Sequence, residues 1–279
     1  MKQRTITAAV FAAAMLGGVF GGAGAFVLLF ALITAGCLWE LMGLLFASES
    51  NHLVWRKVLG TALGILPFLA SGGSALGFWP GGILAGPGQV LAFGMLALVF
   101  GLFILELFLR SEQPFANIGH YLLGLVYVGL PFALLVGVAF EDGDYVPMRV
   151  FGLLLLTWTN DTLAYVVGSR IGKRPFFSRI SPKKTWEGTL GGMVFTVLIA
   201  LLLAQWVSDY STGEWLLLAG CVAVFGTMGD LVESMLKRSI QIKDSGSLLP
   251  GHGGLLDRFD SFIFVLPFAW LALLLLGGG

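Results

Sequence analysis

Residues 5–46 read TITAAVFAAAMLGGVFGGAGAFVLLFALITAGCLWELMGLLF, with Glu40 as the one charged side chain in 42 positions. A helix rises about 1.5 Å per residue and a bilayer's hydrocarbon core is about 30 Å thick, so about 20 residues make one crossing and 42 are too many. Gly17, Gly18, Gly21 and Gly22 mark the place to divide the run into two helices, 5–20 and 22–46. Seven more apolar stretches follow, at 58–79, 88–109, 119–140, 147–169, 188–207, 215–236 and 258–276. The expected fold class is therefore all-α: a polytopic integral membrane protein with about nine transmembrane helices. Composition agrees, with 57% hydrophobic and 11% charged residues against about 25% charged in a soluble domain. The 40 glycines suit close helix packing in lipid, and without a Gly-X-Y period they do not spell collagen.

Sixteen basic residues balance sixteen acidic ones, so no net basic field exists to hold nucleic acid. Their placement is one-sided. Under nine spans, Lys2, Arg4, Arg56, Lys57, Arg110, the segment Arg170–Lys184, the segment Lys237–Lys243 and Arg258 all fall on one face of the membrane. Arg149 alone falls on the other, beside the acids Glu141, Asp142, Asp144, Asp209 and Glu214. The positive-inside rule puts the basic face and the N-terminus in the cytoplasm. Without the early hairpin, Lys2 and Arg4 would change sides. A competing reading takes residues 1–25 as a cleaved signal peptide ending in Ala23-Gly24-Ala25, but no polar mature sequence follows. With no internal repeat and no detachable soluble part, residues 1–279 are expected to form a single membrane domain. Cys37 and Cys221 lie singly in apolar runs and read as core residues.

An ionisable group in mid-membrane costs at least about 2.5–3.5 kcal/mol on insertion scales, so each one is a functional candidate. Glu40 and Glu106 stand near span ends, where the interface or a buried partner takes them. Asp161 is different, because Tyr165 lies one turn further on and both face the same side of the sixth span. Asn160 precedes Asp161. Further on, Ser181-Pro182-Lys183-Lys184-Thr185-Trp186-Glu187-Gly188 gathers lysine, hydroxyl and glycine groups. Placed at a helix N-terminus, these would favour phosphate oxygens.

The densest group runs from Gly229 to Asp260. Asp230, Glu233, Ser234 and Lys237 repeat at i, i+3, i+4 and i+7, one stripe of the eighth helix. Arg238, Lys243 and Asp244 follow, then the loop Leu249-Pro250-Gly251-His252-Gly253-Gly254, then Asp257-Arg258-Phe259-Asp260-Ser261. Carboxylates from two helix ends suit a hard cation such as Mg²⁺, which takes one or two of them and completes its shell with water and phosphate oxygens. Neighbouring lysines and arginines would hold the remaining phosphate charge. His252 between two glycines suits a hydrogen bond to phosphate or a proton transfer; His52 and His120 stand at span boundaries and carry no such signal.

The 27 residues from Ser234 to Asp260 resemble the C-terminal signature of the phosphatidate cytidylyltransferases, the CDP-diacylglycerol synthases, without a departure. Asn160-Asp161-Thr162-x-Ala164-Tyr165 and the octet Ser181–Gly188 also resemble that family, so the likeness covers roughly residues 150–275. Residues 1–146 are similar only in being apolar spans and receive no chemistry; the catalytic spans and loops are those of 147–279. The resemblance implies an enzyme joining CTP to phosphatidic acid, giving CDP-diacylglycerol and pyrophosphate. It implies Mg²⁺ on Asp230 and Asp257, and it raises a potassium ion and a homodimer as further expectations. The expected catalytic set is Asp230, Asp257, Lys237, Lys243, His252, Arg258 and Asp260. The expected substrate-binding set is Ser181, Lys183, Lys184, Glu187, Asn160, Asp161, Ser234, Arg238, Asp244 and Gly253, with Lys183 and Lys184 serving either CTP or the lipid headgroup. The expected setting is a bacterial inner membrane, with the site on its cytoplasmic side. The alternatives are a CTP-dependent polyprenol or other lipid kinase and, from another class, an ion or phosphate transporter with buried acids along its path.

Overall fold

The computed structural model describes residues 2–47, 52–79, 87–246, 248 and 253–276, with the side chains of 2–6 and 87–92 outside the description. Nine long helical segments occur among the described residues: α1 (Lys2–Phe20), α2 (Ala23–Leu45), α3 (Leu53–Ala75), α4 (Pro87–Leu109), α5 (Pro114–Ala139), α6 (Pro147–Ile171), α7 (Trp186–Trp206), α8 (Thr212–Ser239) and α9 (Leu256–Leu275). Seven of them, α2, α3 and α5 to α9, are long and apolar enough to cross a bilayer. The chain is a helical, polytopic membrane protein. The described apolar parts of α1 and α4, Thr7–Phe20 and Phe93–Leu109, are shorter.

The first apolar run divides at Gly22, whose φ of 97° lies in the left-handed region. A side chain there would be strained, so glycine is what allows the chain to turn back between α1 and α2. Among the described residues, two short hairpins depart from a purely helical fold. Phe140–Glu141 (β1) pairs antiparallel with Asp144–Tyr145 (β2), and Pro175–Phe177 (β3) with Ser181–Thr185 (β4). The octet expected at a helix N-terminus thus spends its first five residues in a strand. Pro182 removes a backbone donor and holds Ser181 extended. The helix starts only at Trp186, where Thr185 in extended geometry accepts from the Gly188 N–H (3.2 Å). The two longest spans, α5 and α8, each contain one π turn, at Leu125–Gly129 and Val222–Gly226.

The chain forms two compact units, the first comprising Met1–Gly137 with Ser245–Leu256 and the second Val138–Asp244 with Asp257–Gly279. In the first unit, glycines bring helices into contact. Gly60 and Gly124 both pack on Met42, and Gly129 lies directly on the Gly64 carbonyl. Where α3 begins, Arg56 is buried and ion-paired with Glu106 of α4 at 2.5 Å. Ser111 Oγ accepts from the same guanidinium (2.8 Å), Asn117 donates to Glu106 Oε2 (3.2 Å), and the Phe46 ring lies 5.0 Å from the guanidinium carbon. Glu106 therefore has the buried partner expected of a structural acid. Cys37 and Cys221 are both buried.

In the second unit α6 packs closely on α7. A Cβ on Gly188 would meet the Ala164 carbonyl at 2.6 Å and the Gly168 Cα at 2.9 Å. At the other end of α6, Arg149 is buried, pairs with Glu141 and donates to the Asp209 carbonyl (3.0 Å). Its guanidinium lies 4.4 Å from the Tyr210 ring centre. Burial pushes the Tyr210 hydroxyl well above its ordinary pKa, so a neutral ring faces that cation.

Truncating one partner of a buried pair strands the other charge, at a cost of about 3–5 kcal/mol, whereas an apolar exchange of both is far milder. Glu106→Leu should therefore lower the thermal midpoint in detergent sharply, and the double variant Arg56→Met, Glu106→Leu should recover most of that loss.

Candidate active site

Four elements of the second unit build the site. The first is the stripe on α8: Ser234 Oγ donates to Asp230 Oδ1 (3.3 Å) and Lys237 Nζ reaches Glu233 Oε2 (2.8 Å), each one turn apart. The same ammonium crosses to Asp257 Oδ1 on α9 at 2.7 Å. From strand β4, Lys184 Nζ lies 2.6 Å from Asp230 Oδ2. From α6, Asp161 Oδ1 accepts from Ser261 Oγ of α9 (3.4 Å). Asp260, in the first turn of α9, is buried and accepts from the Ser261 N–H (2.6 Å).

Electrostatic reach joins these pairs into one cluster. Asp230 repels both Asp161 and Asp260, and Glu233 repels Asp260 and Asp257. Five carboxylates thus gather around the ammonium groups of Lys184 and Lys237. Beside them opens a cavity of about 480 Å³ lined by Asn160, Asp161, Ala164, Tyr165, Gly168, Ser169, Lys183, Lys184, Thr185, Thr189, Thr227 and Asp230. Asp161 is accessible because the cavity reaches it.

The close contact of α6 with α7 shapes this cavity. Gly168 and Gly188 let the helices meet, and Gly192 lies against the Asn160 carbonyl, where a Cβ would come within 2.7 Å. Glu187 accepts from the backbone N–H groups of Lys173 (3.0 Å) and Arg174 (3.2 Å), which ties the β3–β4 hairpin to the start of α7. Phe176 packs edge-on against Trp186 with ring centres 4.5 Å apart. These anchors hold β4 so that Lys183 and Lys184 line the cavity.

Of the residues expected from sequence, Asn160, Asp161, Lys183, Lys184 and Asp230 line the cavity. Ser234, Lys237 and Asp257 belong to the ion-paired network beside it, and Asp260 adjoins that network through Glu233. Ser181 opens strand β4 opposite Phe177. Arg238, Lys243, Asp244 and Arg258 are exposed, and Arg238 Nη1 donates to the Ile242 carbonyl (3.4 Å). Gly253, in the first unit, has a φ of 83° that favours glycine; His252 lies outside the described residues. Thr185, one of the hydroxyls of the octet, lines the cavity too, whereas sequence reasoning missed Thr189 and Thr227. Threonines in apolar helices commonly bond their own backbone, so spacing alone gave them no signal.

The donor set fits a hard divalent cation. All the candidate ligands are carboxylate oxygens; Glu233 Oε1 is buried without a hydrogen-bond donor among the described residues, and the neighbouring Asp260, which repels Glu233, is buried as well. A buried carboxylate oxygen without a donor calls for a cation or a shared proton. Among the described residues no three Asp, Glu, His or Cys side chains form a ready-made metal cage. Mg²⁺ does not require one, since water and substrate phosphates complete its octahedron.

Carboxylates, lysines and hydroxyls around a cavity among membrane-spanning helices define a membrane enzyme that handles phosphate. The chain belongs to the cytidylyltransferase family, which it matches over residues 2–276, and it is thereby a nucleotidyltransferase. It is 34% identical over 272 residues to the phosphatidate cytidylyltransferase of Staphylococcus saprophyticus, an alignment that spans 96% of each chain. The like-named protein of Staphylococcus epidermidis is 33% identical over 270 residues, again 96% of each. Against that of Bacillus subtilis the identity is 41% over 169 residues, 60% of this chain and 62% of the relative.

Overpacking a tight helix contact costs about 1–3 kcal/mol. Gly188→Val should therefore lower the thermal midpoint of the purified protein, while Lys183→Ala on the exposed part of β4 should leave it within a degree or two.

Proposed function

We propose that this chain is a phosphatidate cytidylyltransferase that joins CTP and phosphatidic acid to give CDP-diacylglycerol and pyrophosphate. The observation that carries this reading is the pair of carboxylate–lysine contacts, Asp230 with Lys184 and Asp257 with Lys237, beside a cavity in a cytidylyltransferase-family chain. A phosphatidate oxygen attacks the α-phosphorus of CTP; the bond from that phosphorus to the bridging oxygen of the β-phosphate breaks, and pyrophosphate leaves with the electron pair. Little covalent work falls to the protein in such a transfer, so positioning and charge carry the catalysis.

Lys184 and Lys183 line the cavity and neutralise phosphate oxygens there. When phosphate arrives, Lys184 exchanges part of its contact with Asp230 for the substrate, which frees a carboxylate oxygen. Lys237, gripped by Glu233 and Asp257, keeps its ammonium oriented while the charge around it changes. Asn160 and the threonines at 185, 189 and 227 offer hydrogen bonds for a nucleotide or headgroup. Asp230 and Asp257 are the residues that would hold Mg²⁺, which supplies Lewis-acid neutralisation of the phosphate charge when bound. Family resemblance adds a potassium ion and a homodimer to the proposal.

The proposed topology has nine spans, α1 and α4 included, with the N-terminus and the basic loops cytoplasmic as the positive-inside rule requires. CTP then meets the site from the cytoplasm of a bacterial cell, while the acyl chains of phosphatidate stay in the inner membrane.

Asp257→Asn and Lys184→Met should each lower phosphatidate-dependent pyrophosphate release by on the order of 100-fold or more, with elution profile and thermal midpoint in detergent close to wild type. Retention of full activity by either folded variant would contradict the assignment of that residue.

A further inference from the structure

Glu40 lies in α2, in the part of the chain to which the sequence assigns no chemistry. Its side chain is buried, at 6% relative exposure. Oε2 accepts from the backbone N–H of Leu256 (2.9 Å), where α9 begins, and from Ser245 Oγ (3.4 Å). Those two donors are the two ends of segment 245–256, the glycine-rich stretch of the family signature. A Cβ on Gly246 or on Gly254 would run into the Glu40 carboxylate. Both glycines thus let the backbone close onto this acid. One turn earlier on α2, Gly36 leaves room for the Leu255 side chain.

A carboxylate at a helix N-terminus satisfies a donor that has no partner within the helix and meets the positive end of its dipole. Buried, such a charge-assisted bond is strong and directional. Lys57, held 4.1 Å from the Trp39 ring centre, supplies positive potential at Glu40. The start of α9 is therefore fastened by a residue 216 positions earlier. Asp257 follows Leu256 directly in the chain.

We propose that Glu40 is a positioning residue for nucleotidyl transfer: by fastening both ends of segment 245–256 it fixes the first turn of α9 and with it Asp257. The activity arm of this proposal rests on the phosphatidate reading above; its structural arm does not.

The test uses the full chain in detergent with labelled CTP and phosphatidate. Glu40→Ala should lower kcat by roughly 10–100-fold, the range found when a supporting hydrogen bond behind a site is removed, with KM for CTP changed less than about threefold by the same logic. Glu40→Gln, whose amide oxygen still accepts from the Leu256 N–H, should recover activity to within about fivefold of wild type. Gly254→Ala, with Glu40 intact, should mimic Glu40→Ala. In parallel, Leu256→Cys is introduced in a Cys37→Ala, Cys221→Ala background and labelled with maleimide in membranes. Glu40→Ala should speed that labelling about tenfold, as expected when a local opening becomes easier. Wild-type kcat in Glu40→Ala, or a labelling rate that Glu40→Ala leaves unchanged, would overturn the proposal. A wild type inactive on phosphatidate would instead sink the substrate assignment, and the labelling ratio would still decide whether Glu40 fastens the segment.

Discussion

A carboxylate carried among apolar helices has to be matched, because neither water nor lipid compensates it there. That constraint organises the second unit. Asp161, Asp230 and Asp260 repel one another and Glu233 repels Asp260 and Asp257, and Lys184 and Lys237 are placed where they bridge elements rather than merely neutralise a neighbour. Lys237 links α8 to α9, and Lys184 links strand β4 to α8. The hairpin, the glycine contact of α6 with α7 and the capping of α7 by Thr185 all serve to hold Lys184 where Asp230 needs it.

The same constraint explains why such a site suits phosphate transfer. A cluster rich in carboxylates and bridged by ammonium groups is balanced but easily exchanged: phosphate would compete for the lysines, and a divalent cation, where one binds, would compete for the acids. Structural ion pairs in this protein are built differently. Arg56 and Glu106 are enclosed by Ser111, Asn117 and Phe46, with both side chains at 1% exposure. The Lys184–Asp230 pair is accessible from a cavity, at 24% and 34%. Accessibility, more than charge, separates the exchangeable pair from the fixed one.

Seven of the nine expected spans were legible in the sequence because about 20 apolar residues per crossing is a property of length and composition, and the turn at Gly22 because the run was too long for one helix. The α8 stripe was legible because helical periodicity brings Asp230, Glu233, Ser234 and Lys237 to one side. Strand β4 was not, since five residues after a basic loop carry no alternation strong enough to outweigh a nearby helix start. Glu40 was also hidden. A lone acid in a span shows no local partner, and its donors at Ser245 and Leu256 come more than 200 residues later. Thr189 and Thr227 were hidden for the related reason that only tertiary packing decides which polar groups face a shared space.

The most direct measurement follows two labels of CTP at once, one on the α-phosphate and one on the γ-phosphate, after addition of phosphatidate and Mg²⁺ to the purified protein. The α label should enter the chloroform-soluble lipid while the γ label leaves in pyrophosphate. Entry of the γ label into lipid would mean a kinase, and failure of the α label to enter it would contradict nucleotidyl transfer to phosphatidate.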